Sequence, residues 1–267
     1  NNAVYAFDST TVELCLTLFP WAVFRKAKAG IKMHTSVDVR GSIPSFIRIT
    51  DAKQHDVNAL DEIPFEPGAY YLIDRGYLDF GRLYGLGTCG SFFVTRAKKN
   101  TLFRRLYSSP VDKALGLRSD QRGVLCGVKA RNQYPAHIRR VTYRDPKTDK
   151  RLCFLTNSLA IPAIDVCKLY KMRWQVELFF KWVKQHLRIK RFLGTSQNAV
   201  HIQIWIAIAT YTLVAILIKE LRLKKSMYDV LQFLSVSVFE KALIIEVFSE
   251  TVPVINPDNH LIQGELL

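Results

Sequence analysis

Two aspartates that each follow a short apolar run, and one glutamate set among cations on a helix, are the residues here whose types and spacing could do chemistry. Val4 to Phe7 runs into Asp8, and Ala69 to Ile73 (AYYLI) runs into Asp74. Strands over these runs would put both carboxylates at strand C-terminal ends, where an open sheet commonly presents its functional groups. From Ala163 to Leu187 the pattern is helical, with Tyr170, Arg173, Glu177, Lys181 and Lys184 at offsets of 0, 3, 7, 11 and 14. At about 100° per residue these five side chains fall within roughly 80° of one another, in one stripe. Carboxylates hold hard divalent cations, and lysine and arginine hold phosphate oxygens, so the set suits phosphodiester cleavage. It suits an ordinary salt-bridged helix face equally well, because Arg173 to Glu177 and Glu177 to Lys181 are i, i+4 pairs. Spacing alone leaves the two readings level.

Other residues rank below these. Lys32 and His34 share a predicted strand, Lys32 to Val39, from which they could approach the carboxylates, although a lone histidine serves as readily in a structural role. Arg75 directly follows Asp74 and is a reasonable phosphate contact. His55 and Asp56 have the form of a catalytic pair with no accompanying nucleophile. Trp174 points about 40° off the stripe and reads either as an aromatic platform or as core. Arg188, Lys190 and Arg191 read as backbone contacts or as charges complementing a helix C-terminus.

The elements that must position these groups follow from patterning. With 267 residues, 49% hydrophobic, 12% aromatic, 13 Gly and 10 Pro, the chain is neither disordered nor fibrous and is long enough to bury a substantial core. Thirty-eight Lys and Arg against 23 Asp and Glu leave +15, which points to a polyanionic partner. Much of the excess lies in Arg96 to Arg151, where 16 Lys and Arg face four Asp, a net +12. With Tyr107, Tyr134 and Tyr143 interspersed, that stretch favours phosphate contact over a merely solvated surface. Lys32 to Val39 with Ile43 to Thr50, and His137 to Tyr143 with Arg151 to Leu155, read as antiparallel hairpins. After Pro162 the pattern stays helical to about Phe248. Ile202 to Leu221 is expected as a buried helix, Tyr228 to Leu234 and Val238 to Phe248 as shorter ones capped by Ser226 and Ser237, and a loose tail from Thr251 onward.

The 17 residues Ile202 to Ile218 sit at the lower edge of the length that spans a bilayer, so a membrane anchor is the weaker reading. Five cysteines with no C-x-x-C pair signal neither a disulfide framework nor a zinc site and fit a reducing compartment. The chain opens on Asn1-Asn2 without a signal-peptide core, which reads as a piece of a longer protein.

The string YKMRWQVELFFKWVK resembles the Y-(2)-R-(3)-E-(6)-K signature of the YREK, insertion sequence 4-like group of DDE insertion-sequence transposases, with Tyr170, Arg173, Glu177 and Lys184 at its four positions. Asp8 in YAFDST and Asp74 in YYLIDRGY match that family's two aspartates. GIKMH, with Lys32 and His34, and TDAKQHD, with Asp51, His55 and Asp56, resemble its second and third strands and the stretch after them. The resemblance implies an α/β fold: a ribonuclease H-like core of mixed sheet and flanking helices, carrying a β-rich insertion and a helical C-terminal region. The boundaries expected are 1–91 for the first part of the core, 92–160 for the basic insertion, 161–248 for core helices and the helical region, and 249–267 for the tail.

It further implies that Asp8, Asp74 and Glu177 hold two Mg²⁺ ions, or Mn²⁺, and cut DNA with no side-chain nucleophile. DNA, as transposon ends and target, would be contacted by Tyr170, Arg173 and Lys184, with Lys181, Arg75, Lys32 and His34 beside them. The enzyme would pair as a homodimer on the element's ends and work in the bacterial cytoplasm at the nucleoid, without a membrane. Family members carry an N-terminal DNA-binding domain, for which no residues stand ahead of Asp8, so the expectation is a catalytic domain without it. A catalytically idle DNA-binding remnant and a ribonuclease H-like nuclease without strand transfer are the alternatives.

Overall fold

The computed structural model describes residues 2–186 and 192–237. Ten strands form one sheet: β1 (Val4–Leu14), β2 (Val23–Arg25), β3 (Lys28–Asp38), β4 (Ile43–Asp51), β5 (Tyr70–Ile73), β6 (Phe92–Arg96), β7 (Phe103–Ser109), β8 (Leu117–Leu125), β9 (Ile138–Arg144) and β10 (Arg151–Thr156). The helices are α1 (Phe80–Thr88), α2 (Val128–Gln133), α3 (Ala163–Met172), α4 (Trp174–His186), α5 (Gln197–Glu220) and α6 (Met227–Ser237). The order across the sheet is β2-β3-β1-β5-β6-β10-β9-β8-β7, with β4 pairing β3. β1, β5 and β6 are parallel to one another, and every other pairing is antiparallel. This mixed sheet with flanking helices is the α/β architecture expected.

Strand alternation decides which side each residue serves. Tyr5, Phe7, Tyr71, Ile73, Phe93 and Leu155 point to one face, where they pack with Leu60 of the 3-10 turn Asp56–Glu62, Leu83 and Leu86 of α1, and Tyr134. Each Phe, Leu or Ile so buried contributes roughly 1.5–3 kcal/mol, enough for this face to hold the parallel strands without a covalent staple. The opposite parity turns Ala6, Asp8, Leu72 and Val94 toward the layer of α3 and α4, which pack on β5, β6 and β1.

Several elements differ from the sequence expectation. β1 does not stop at Phe7 but runs through Asp8 to Leu14, because β3 pairs with it along that whole length. The predicted single helix from Ala163 is two helices, broken at Arg173. There Arg173 N–H bonds the Tyr170 carbonyl at 3.1 Å and Val176 N–H the Arg173 carbonyl at 3.2 Å, a tightened three-residue spacing. Leu187, its predicted end, lies outside the described residues. The helix expected to be buried, α5, is buried on one stripe only, through Val200, Ile204, Ala207, Ile208, Tyr211, Val214 and Ala215. Ile202, Trp205, Ile206 and Leu213 on its other side are exposed. By length and composition α5 could cross a membrane, with a third of its most apolar window buried in the protein.

Residues 92–160 are β-rich, and they continue the sheet, with β10 joining β6 on one side and β9 on the other. Arg139 of β9, almost fully buried, donates to both oxygens of Asp120 in β8 at 2.8 Å and to the carbonyls of Ser158 and Ile161. That cluster fastens β8 and β9 to the segment entering α3.

The described residues up to Ile216 form one compact unit, and those from Leu217 onward belong to another. In the second, Ser226 Oγ caps α6 by accepting from Asp229 N–H, while the Asp229 carboxylate accepts from Ser226 N–H, a reciprocal capping arrangement. The predicted helix Val238 to Phe248, its Ser237 cap and the tail after Thr251 lie at or beyond the limit of the described residues.

Candidate active site

Phe7 pairs with Ile73 in the last parallel register of β1 and β5, and Asp8 and Asp74 come next. Because Phe7 and Ile73 are committed to the core, alternation turns the two aspartates to the opposite face. Asp8 accepts from Ser9 N–H through Oδ1 at 2.8 Å. Asp74 caps the 3-10 turn Arg75–Tyr77, accepting from Gly76 N–H through Oδ2 at 3.1 Å.

The paired helices α3 and α4 supply the rest. Tyr170 donates its hydroxyl to Asp74 Oδ1 at 3.3 Å. Burial, with Asp74 beside it, pushes the phenol up to about 12, so it keeps its proton. Arg173 donates from Nη1 to Asp8 Oδ2 at 2.7 Å and from Nη2 to Glu177 Oε1 at 2.6 Å, and its Nε lies 4.0 Å from Asp74 Oδ1. One guanidinium therefore stands among three carboxylates drawn from β1, the end of β5 and α4. The Arg173 and Asp8 side chains are only 13% and 19% exposed, against 34% for Glu177 and 37% for Asp74, so the site is deep at Asp8 and open to solvent at the other two acids.

Burial raises the Asp8 carboxyl to about 6. Ser9 N–H and Arg173 pull it down, and Asp74 and Glu177 push it up. Among the described residues, no three His, Cys, Asp or Glu side chains sit close enough to share one metal ion. The acids are spread around the guanidinium instead.

The other predicted contacts divide. Lys184 donates to Thr10 Oγ1 at 2.6 Å and to the Thr11 carbonyl at 2.9 Å, so its ammonium holds α4 along β1. Lys181 is exposed on α4 and Arg75 is exposed beside Asp74. Trp174 is 56% exposed and so does not belong to the core.

Lys32 and His34 do not join these acids, because register puts them on the opposite face of the sheet. Asp8 pairs with Thr35, whereas His34 pairs with Ser9 and Lys32 with Thr11, and directly paired residues share a face. His34 is fully buried and bonds Thr50 Oγ1 at 3.0 Å. Lys32 bonds Asp56 at 2.9 Å, and Asp56 also accepts from Ser9 Oγ at 2.8 Å. The suspected His55–Asp56 pair is thus replaced by a Ser9–Asp56–Lys32 brace behind Asp8.

Sequence reasoning missed one assembled feature. Arg75, Arg96, Lys98, Lys99, Arg118, Arg140 and Arg151 line a concavity of about 630 Å³ without a single acid. Its residues come from four strands, the loop after β6 and the 3-10 turn after β5, so only the regional charge excess announced it.

Two aspartates at matching positions on neighbouring parallel strands and a glutamate on α4 converge on Arg173, in a mixed sheet with helices on both faces that has the ribonuclease H-like fold. The chain belongs to the transposase DDE domain family, whose model matches residues 2–213. It is 33% identical over 258 residues to the transposase y4zB of Sinorhizobium fredii, covering 94% of this chain and 70% of that protein. Over 209 residues it is 30% identical to the transposase named for insertion sequence element IS5377 of Geobacillus stearothermophilus, covering 77% of this chain and 54% of that one. Among solved structures it is similar in fold to piggyBac transposase in a synaptic complex with hairpin DNA. The TM-score is 0.52 at 12% identity, covering 96% of this chain and 59% of that chain.

Proposed function

We propose that this chain is the catalytic domain of a cut-and-paste DNA transposase. It cuts phosphodiester bonds at transposon ends and joins the freed strand to target DNA with two divalent ions, Mg²⁺ or Mn²⁺. The observation that carries the reading is the convergence of Asp8, Asp74 and Glu177 on one cationic group.

The donor set fits the metal. It is all carboxylate oxygen, as hard cations require, and three carboxylates surround a single guanidinium. Asp8, Asp74 and Glu177 would hold the ions, whose contribution is to neutralise charge building on the attacking and departing oxygens.

The chain's own groups do the rest. Tyr170 keeps its proton and orients Asp74 through its hydroxyl. Lys184 keeps α4 in register with β1, so that Glu177 faces Asp8. Lys181, Arg75 and the basic concavity hold the DNA backbone by charge, fixing the scissile phosphate over the acids. The hairpin DNA in the piggyBac complex supports DNA as the partner here. A homodimer on paired ends, acting on nucleoid DNA in the bacterial cytoplasm, completes the proposal.

The test is nicking of supercoiled plasmid in Mg²⁺ or Mn²⁺ by the wild type and by Glu177→Gln, which keeps shape and loses charge. The wild type converts plasmid to open circle, and the variant is slower by about 100-fold or more. A labelled end that becomes joined to target separates a transposase from a nuclease. Salt-sensitive DNA binding without nicking by either protein would favour the idle DNA-binding remnant.

A further inference from the structure

We infer that Arg173 is a resident counter-cation that competes with divalent metal for the acidic site, so that metal binds tightly only once a DNA phosphate has drawn the guanidinium away. The inference rests on the metal-dependent reading above and adds to it an order of events.

Arg173 uses the oxygens a metal would need. Its two terminal nitrogens take Asp8 Oδ2 and Glu177 Oε1, and its Nε faces Asp74 Oδ1. With the guanidinium between the acids, no group of three His, Cys, Asp or Glu among the described residues is placed to hold a metal ion. A divalent cation entering between Asp8 and Glu177 would meet a positive charge in direct contact with both, at the deep, Asp8 side of the site, where Coulomb repulsion is least screened.

The guanidinium is also incompletely satisfied where it lies. Arg173 Nε is buried without a hydrogen-bond partner. A phosphodiester offers paired oxygens that match the guanidinium fork. Glu177 and Asp74, the more exposed acids, mark the side from which a phosphate arrives. An incoming phosphate thus gains a cation and frees two carboxylates in one exchange.

The exchange is a coupling between two ligands and must be reciprocal: DNA raises metal affinity, and metal raises DNA affinity by the same factor. It keeps the chain from loading the ions before DNA is bound.

The test measures Mn²⁺ binding through the loss of the free-ion electron paramagnetic resonance signal. Wild type, Arg173→Gln and Glu177→Gln are compared with and without a short DNA duplex, and the Glu177→Gln titration supplies the correction for Mn²⁺ held by the duplex itself. The expected result is at least tenfold tighter Mn²⁺ binding by wild type when duplex is present. Arg173→Gln should bind Mn²⁺ at least tenfold tighter than wild type without DNA, with little further gain from it. Equal or weaker binding by Arg173→Gln overturns the inference, since the guanidinium would then organise the acids instead of competing for them. Should that variant fail to fold, the wild type alone decides, because equal Mn²⁺ affinity with and without duplex overturns the coupling. In both of those outcomes Mn²⁺ still binds through Glu177 and the metal-dependent reading stands. Wild type no better than Glu177→Gln under every condition overturns both.

Discussion

Asp8 and Asp74 occupy matching positions on neighbouring parallel strands, each one residue beyond the last paired register, Phe7 with Ile73. The strands then part company. β5 ends at Ile73, while β1 continues to Leu14 beside β3. Past Asp8, then, β1 has a paired strand on one side only. Arg173 and Glu177 reach Asp8 from α4 and the helix joint, and Lys184 anchors that helix farther along the same strand.

If the basic concavity grips the DNA backbone, removing its cations should weaken binding in proportion to the phosphates released. Replacing Arg118 and Arg151 together with Ala is expected to reduce the slope of log affinity against log salt by about 2, near 0.9 for each lost phosphate contact. Fluorescence anisotropy of a labelled duplex over a salt series reads this directly. An unchanged slope would remove the concavity from the DNA path.

His34 carries a pH dependence of stability. Burial holds its imidazole down near 4, Asp56 pulling it back up and Lys32 and Arg48 pushing it further down. A group whose folded pKa lies below its unfolded value contributes stability that is complete above the unfolded pKa, about 6.5. That stability is lost as pH falls toward the folded pKa near 4. The loss over this window is on the order of 2–3 kcal/mol. Urea melts from pH 7 to pH 4 should therefore show wild type losing more stability than His34→Gln, and parallel curves would contradict the assignment.

The buried pair of Arg139 and Asp120 should be costly to break from one side. Arg139→Met leaves the Asp120 carboxylate buried without its cation and frees the carbonyls of Ser158 and Ile161, an expected loss of about 3–5 kcal/mol. Adding Asp120→Leu should recover much of it, because the unpaired charge is then gone. Chemical denaturation of the single and double variants checks both signs.

Asp8 and Asp74 were legible because an apolar run ends at each, and Glu177 because its cationic neighbours recur at helical spacing. Lys32 and His34 misled because a strand's face depends on its register, and one residue's shift exchanges the faces. Nothing in their own segment tells Thr35, opposite Asp8, from His34, opposite Ser9. The break at Arg173 carries no Gly or Pro to announce it. On α5, apolar residues all round hid which stripe is covered, since hydropathy without contrast has no direction. The basic concavity draws on residues up to 78 positions apart, from Arg75 to Cys153, which local patterning does not join.

The place of β10 in the sheet bears on how the molecule is made. A chain leaving the ribosome delivers β1 to β6 first, yet the strand that must lie against β6 is β10, which arrives only after β7, β8 and β9 have emerged. Until residue 156 is synthesised the β6 edge has no strand partner, and the hairpins of β7 to β9 have no strand pairing with the parallel strands. Arg173 and Glu177 emerge later still. A nascent chain therefore carries two aspartates without their cation or their third acid until residue 177 has been added.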